Sequence, residues 1–222
     1  MKAVSLFSLV LLFGVMVGCD NRPKIEGLFG EKIGDVLDSG RCKHNVDFEG
    51  QPLALLKNPQ VKFPIVETED ISTGYVVFTN ENGVVEGLSF NTSALKKSVF
   101  KDWAKQVDQV RENVCLKYGE PDWEKPMKSK KIEGTENVWF IDGRVLSVQD
   151  VQVDGSLLFS VNVFTYERAA KNVAELYEKN MDGFREKWED DKLELPSGYV
   201  RLVEKKIKAK MDAKSNESAS YL

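Results

Sequence analysis

The chain has 222 residues, 42% of them apolar and 30% charged, which argues against a disordered polymer and suits one globular domain or two small ones. A formal net charge of −4 with a pI near 5.3 carries no basic patch or stripe of the kind that binds nucleic-acid phosphates, so no nucleic-acid partner is expected.

The N-terminus places Lys2 before fifteen uncharged residues, Ala3 to Val17. That run is too short to span a bilayer and fits the apolar core of a secretory signal. Ordinary signal cleavage after Gly18 would put Met16 at −3, and no Ala-x-Ala lies nearby.

Met16-Val17-Gly18-Cys19 instead resembles the lipobox of bacterial lipoproteins, with Met16 where Leu is usual. The resemblance implies a signal peptide over 1–18 and thioether-linked diacylglycerol on Cys19. Two or three acyl chains on one cysteine make a durable anchor, whereas one holds only marginally. Asp20 resembles the sorting signal that keeps enteric lipoproteins in the inner membrane, facing the periplasm; without that rule the outer membrane is the expected address. The alternatives are a plain signal or a buried apolar segment. Residues 19–27 then read as a short membrane-proximal linker that holds the domain within roughly 30 Å of the bilayer.

Cys42 and Cys115 remain after Cys19. In an exported chain they are candidates for a disulfide, which would stabilise by roughly 4 kcal/mol in the chain-entropy model. The other reading is two separately buried thiols.

In chain order, Ile33, Val36 and Leu37 between Gly30 and Gly40 have helical spacing and predict a short helix. No GxGxxG or GxxxxGK phosphate loop accompanies those glycines. Residues 50–66 carry Pro52, Pro59 and Pro64, so strands there are expected at an edge or irregular. Tyr75–Thr79 and Val84–Phe90 flank Asn80-Glu81-Asn82-Gly83 and predict a hairpin. From Ser93, a plausible N-cap, Leu95, Val99, Trp103, Val107, Val110, Val114 and Tyr118 form one apolar stripe, stopped by Gly119 and Pro121.

Asp142-Gly143 and Asp154-Gly155 each separate β-rich runs, the signature of type I′ turns. They predict a three-stranded meander over about 137–141, 144–153 and 156–165. A second long helix is expected from Arg168 to Lys192, weakened at Gly183. Beyond Pro196, residues 193–222 read either as a basic amphipathic helix or as a solvated, frayed terminus. The order of elements, with a hint of internal repetition, predicts an α+β domain over 28–192: an antiparallel sheet built from the hairpin and the meander, packed on two long amphipathic helices. The stretch VRENVCLKYGEPDW ahead of the tryptophan-containing strands resembles small helix-then-meander envelope modules, such as outer-membrane assembly lipoproteins and the β-lactamase inhibitor protein fold.

Chemistry is sparse. His44 is the only histidine, so a Ser-His-Asp or Cys-His arrangement hangs on one residue, and one His with two distant Cys lacks zinc-site spacing. No catalytic residue, metal ligand or cofactor is therefore expected.

Two-residue turns fix the meander register and sort its side chains. One face collects Trp139, Ile141, Leu146, Val148, Leu157, Phe159, Val161 and Val163 as a core surface. The other holds Val138, Phe140, Val145, Ser147, Gln149, Val151, Leu158, Ser160, Asn162 and Phe164, polar in the middle. Gln149, Ser160 and Asn162 on this second face, with Trp123 beyond the helix stop, are the candidate partner-binding residues. The alternative is that another segment, such as the first hairpin or the tail, covers that face. The expected function is a non-enzymatic envelope lipoprotein binding a protein or peptide. The alternatives are an inhibitor or immunity-type lipoprotein and an envelope hydrolase, whose paired acids would meet only in space.

Overall fold

The computed structural model describes residues 21–48, 51–57, 59–63, 65, 67–95, 100–128, 132–153, 155–179 and 184–219, with backbone only at 43–48, 51–52, 100, 184 and 214–219. The class is α+β. A two-stranded ribbon, β1 (Gly27–Leu28) and β2 (Glu31–Lys32), precedes β3 (Cys42–Phe48), β4 (Gln51–Leu56), β5 (Ile71–Thr79) and β6 (Val85–Ala94). Helix α1 (Phe100–Tyr118) follows, then β7 (Trp123–Lys128), β8 (Ile132–Ile141), β9 (Arg144–Val153) and β10 (Ser156–Thr165). Three helices close the chain: α2 (Tyr166–Glu178), α3 (Phe184–Asp191) and α4 (Ser197–Ala219).

Strands β3 to β10 form one antiparallel eight-stranded sheet in the order β3-β4-β5-β6-β10-β9-β8-β7. Each group of four strands is a meander followed by a helix, and the last strands of the two groups, β6 and β10, pair at the centre. Local chemistry sets much of the register. Asp142 and Gly143 have φ of 49° and 73°, the left-handed pair that a type I′ turn requires, and Ile141 faces Arg144 across it. Between β5 and β6 the Asn80 Oδ1 accepts from the Asn82 and Val84 amides at 2.9 and 3.0 Å, fixing that turn.

The inner face of the sheet carries the main core. Trp139, Ile141, Leu146, Val148, Phe159, Val161 and Val163 pack there with Leu88, Phe90 and Ala94 against Trp103, Val107, Val110 and Tyr118 of α1. Residues 25–29 cover part of the same face, with Ile25 and Phe29 buried. The outer face carries a second core, in which Val138, Phe140 and Val145 meet Ala169, Ala170 and Ala174 of α2, Trp188 of α3 and Tyr199, Val203 and Ile207 of α4.

Several expectations require correction. Residues 33–37 are turns and an isolated bridge from Val36 to Val84, not a helix; with Val36 exposed, no apolar stripe exists for a helix to bury. Strand β4 is paired on both sides. Its Pro52 lies where only β3 adjoins, opposite Asp47, and β5 joins from Leu53, so the missing amide costs no central bond. Ser93 is not a helix cap but a β6 residue opposite Ser72 and Leu158, because Asn91, Thr92, Ser93 and Ala94 alternate with the period of a strand.

The expected helix over 168–192 is two helices, α2 and α3, with residues 180–183, including Gly183, outside the described residues. Residues 197–219 are helix α4, whose Tyr199, Val203 and Ile207 recur every four positions in the second core; a solvated terminus is overturned there. Its lysines pair with α2: Lys206 with Glu167 and Lys210 with Glu178, both at 2.7 Å.

The segment after Cys19 is docked from its third residue. Both Asp122 carboxylate oxygens accept from Arg22 Nη1 at 2.9 Å, and Arg22 Nη2 donates to the Phe140 carbonyl at 3.3 Å. Ile25 is 1% exposed.

Candidate partner-binding site

Pairing across the outer face builds a polar row: Gly74, Asn91, Ser160, Gln149, Glu136 and Lys125 stand opposite one another on β5, β6, β10, β9, β8 and β7. Next to it Ser89, Asn162 and Ser147 form a second row on β6, β10 and β9. Hydrogen bonds join the two into one ladder. Asn91 Nδ2 donates to Ser89 Oγ at 3.0 Å, and Ser89 Oγ donates to Asn162 Oδ1 at 2.5 Å. Asn162 Nδ2 lies 3.2 Å from both Ser147 Oγ and Ser160 Oγ, Ser160 Oγ donates to Gln149 Oε1 at 3.2 Å, and Gln149 Nε2 donates to Glu136 Oε1 at 2.8 Å. Ser89 and Ser147 are buried; Asn162 gives the Ser147 hydroxyl its partner and accepts from the Ser89 hydroxyl, which also takes the Asn91 amide.

The ladder separates a covered from an uncovered part of the outer face. On one side α2 and α4 cover Val138, Phe140 and Val145. The Tyr199 phenol belongs to this side; burial, with Glu136 and Tyr166 nearby, pushes its pKa well above the usual phenol range. On the other side Gln149, Val151, Leu158 and Ser160 line, with Ser72, Asn91 and Ser93, an open hollow of about 490 Å³. Leu158 is 40% exposed there, and Ser72 Oγ and Ser93 Oγ share a hydrogen bond of 2.8 Å. The two readings of this face each describe a part of it: the tail covers one end, and no described residue covers the other.

The structure therefore brings Gln149, Ser160 and Asn162 together but gives them different places. Gln149 and Ser160 border the hollow, whereas Asn162 is a structural hub beneath its rim. Trp123 is elsewhere. It stands opposite Val138 at the sheet edge, packs on the second core, donates from Nε1 to Glu194 Oε2 at 2.9 Å and lies under the Lys125 ammonium, itself paired with Asp191. It is half-buried against the second core and does not line the hollow. Cys19 and Asp20 lie outside the described residues.

Sequence reasoning missed Asn91, Ser89 and Ser72, which come from β5 and β6. The available signal was the polar alternation Ser89, Asn91, Ser93, obscured by extending the helical stripe back to Leu95, a residue left 64% exposed.

No Cys42–Cys115 bridge is formed. Both cysteines are free thiols, Cys42 at the start of β3 and Cys115 in the last turns of α1, each packed into the inner-face core from its own element. Burial is the leading cause raising both thiol pKa values, aided by Asp38 at Cys42 and Glu120 at Cys115, so neither is an activated nucleophile. His44 belongs to β3. Among the described residues no group of three or more His, Cys, Asp or Glu side chains could hold a metal ion, and no described helix is long and apolar enough to cross a membrane. No protein family, curated protein or solved structure matches this chain.

Proposed function

We propose that this chain is a non-enzymatic, lipid-anchored bacterial envelope lipoprotein that binds a protein or peptide partner through the uncovered end of the sheet's outer face. The observation that carries the reading is the open hollow bordered by Leu158, Val151, Gln149 and Ser160: apolar area beside polar groups, the mixture that marks interaction surfaces. The address rests on Met16-Val17-Gly18-Cys19 and on Asp20, which favour the inner membrane facing the periplasm.

Two measurements test it. Mass spectrometry of the N-terminal peptide should find acyl chains on Cys19 in the native chain and none in Cys19→Ala; an unmodified native peptide defeats the anchor. A photo-crosslinker at Leu158 should trap one discrete envelope partner. The same probe at Leu116, an 84% exposed leucine on α1, should not. Identical products at both positions would defeat the surface assignment.

A further inference from the structure

A second hollow, of about 420 Å³, opens on the inner side of the sheet and has a different chemistry. One wall is α1, whose Val110 and Val114 line it, and the floor reaches Val161 of β10, a residue only 1% exposed. The opposite wall comes from Ile25 and residues 27–29 and 61–63, with Val61 60% exposed. Its size falls within the ~300–1,000 Å³ range of small-molecule sites.

Charge at this hollow is one-sided. Lys62 and Lys117 both line it, no carboxylate does, and among the described residues neither lysine has an ion-pair partner. The Lys117 ammonium lies 5.0 Å over the Tyr118 ring. The neighbouring lysines, by contrast, are engaged: Lys24 pairs with Asp142 at 2.9 Å and Lys32 with Glu26 at 3.9 Å. An apolar slot whose unmatched charges are two ammonium groups complements a molecule with one apolar tail and one anionic head.

We propose that this groove binds a single-chain lipid anion, a fatty-acid carboxylate drawn from the adjacent bilayer, with its tail between α1 and the floor of the sheet and its carboxylate between Lys62 and Lys117. The bilayer as source rests on the anchored reading above: Ile25, in the groove wall, is six residues from Cys19, a reach of about 20 Å at full extension. The groove itself does not depend on the anchor.

Binding is therefore measured on the chain from Asp20 onward, which retains every described element, with oleate as the probe and isothermal titration as the readout. Saturable one-to-one binding is expected, and the methyl ester of oleate should bind at least several-fold more weakly. Reversing the mouth with Lys62→Glu and Lys117→Glu should weaken oleate about tenfold or more through lost charge-assisted contacts and leave the ester unchanged. Val114→Trp should fill the slot and abolish binding of both; Val61→Asp at the exposed mouth gives the same test without entering the core. Leu158→Asp, on the far side of the sheet, should have no effect. The proposal is overturned by no saturable binding, by equal binding of oleate and ester, by mouth reversal without effect, or by groove variants that instead alter self-association in sedimentation velocity. Because the anchor is absent from this chain, failure here and failure of Cys19 acylation are separate results.

Discussion

The two faces of one sheet have been solved in different ways. On the inner face Trp139 and Ile141 of β8, Leu146 and Val148 of β9 and Phe159, Val161 and Val163 of β10 are apolar and buried, and α1 with residues 25–29 covers them. On the outer face the same strands change character along their length, from Val138, Phe140 and Val145 under α2 and α4 to the hydrogen-bonded ladder and then to Leu158 in the open. A uniformly apolar face is a packing surface. One that changes from apolar to polar midway has a boundary built into it, and the ladder lets the cover stop there without leaving buried hydroxyls unpaired.

The most damaging change should be on the inner face. Trp139 is fully buried and donates from Nε1 to the Gly119 carbonyl at 2.9 Å, tying the sheet to the end of α1. Trp139→Ala should cost about 3–5 kcal/mol, read as a large fall in the denaturant midpoint. Retention of wild-type stability would mean the inner face is not the principal core.

Breaking the boundary should cost less. Asn162→Ala strips partners from Ser89 and Ser147, both buried, and should destabilise by about 1–3 kcal/mol. It follows that a lysine at Asn162 would confuse folding with binding, and that Gln149 and Leu158 are the positions at which to test the surface. Leu158→Asp should move stability by no more than about 0.5 kcal/mol while removing the partner crosslinks formed by a probe at Gln149. A large loss of stability would show Leu158 to be covered and would erase the distinction between the two ends.

The smallest effect concerns the thiols at the edges of the inner-face core. Alkylation without reductant should label both Cys42 and Cys115, slowly at neutral pH and faster as pH rises, because burial raises both thiol pKa values above the ordinary 9.0. The sign for stability follows. The folded chain holds these protons more tightly than the unfolded one, so their contribution is complete below the unfolded thiol pKa and is lost as pH rises through the folded value. An intact mass lower by two hydrogens with no label would restore the bridge.

The parts of this fold legible in the sequence are those whose cause is local. The left-handed Asp142-Gly143 pair and the turn at Gly155 fix the pairing of Ile141 with Arg144 and Val153 with Ser156. The spacings of four and three along Trp103, Val107 and Val110 mark the buried side of α1. The parts not legible depend on distant partners. Strand β3 reads CKHNVDF, an ordinary polar stretch until β4 is beside it. Helix α4 reads from sequence as either an amphipathic helix or a solvated terminus because its apolar residues sit among lysines; the acids of α2, Glu167 and Glu178, give Lys206 and Lys210 their partners. The ladder depends on β6 pairing with β10, a contact across more than seventy residues that no local pattern announces.

The Arg22 clamp on Asp122 has a consequence for geometry at the membrane. With Cys19 acylated, three residue steps separate the lipid from the first fixed point of the domain, so the leash is about 10 Å at full extension. A leash that short restricts tilt as well as height, so one end of the molecule faces the headgroups and the other stays in solvent. Arg22→Ala should cost only about 1 kcal/mol, since the pair is partly exposed. It would nevertheless lengthen the leash toward Ile25, and fluorescence quenching by headgroup-labelled lipid would register the domain standing farther off and turning more freely. Partners tethered in the same bilayer would then meet it at a lower effective concentration without the loss of a single interfacial contact.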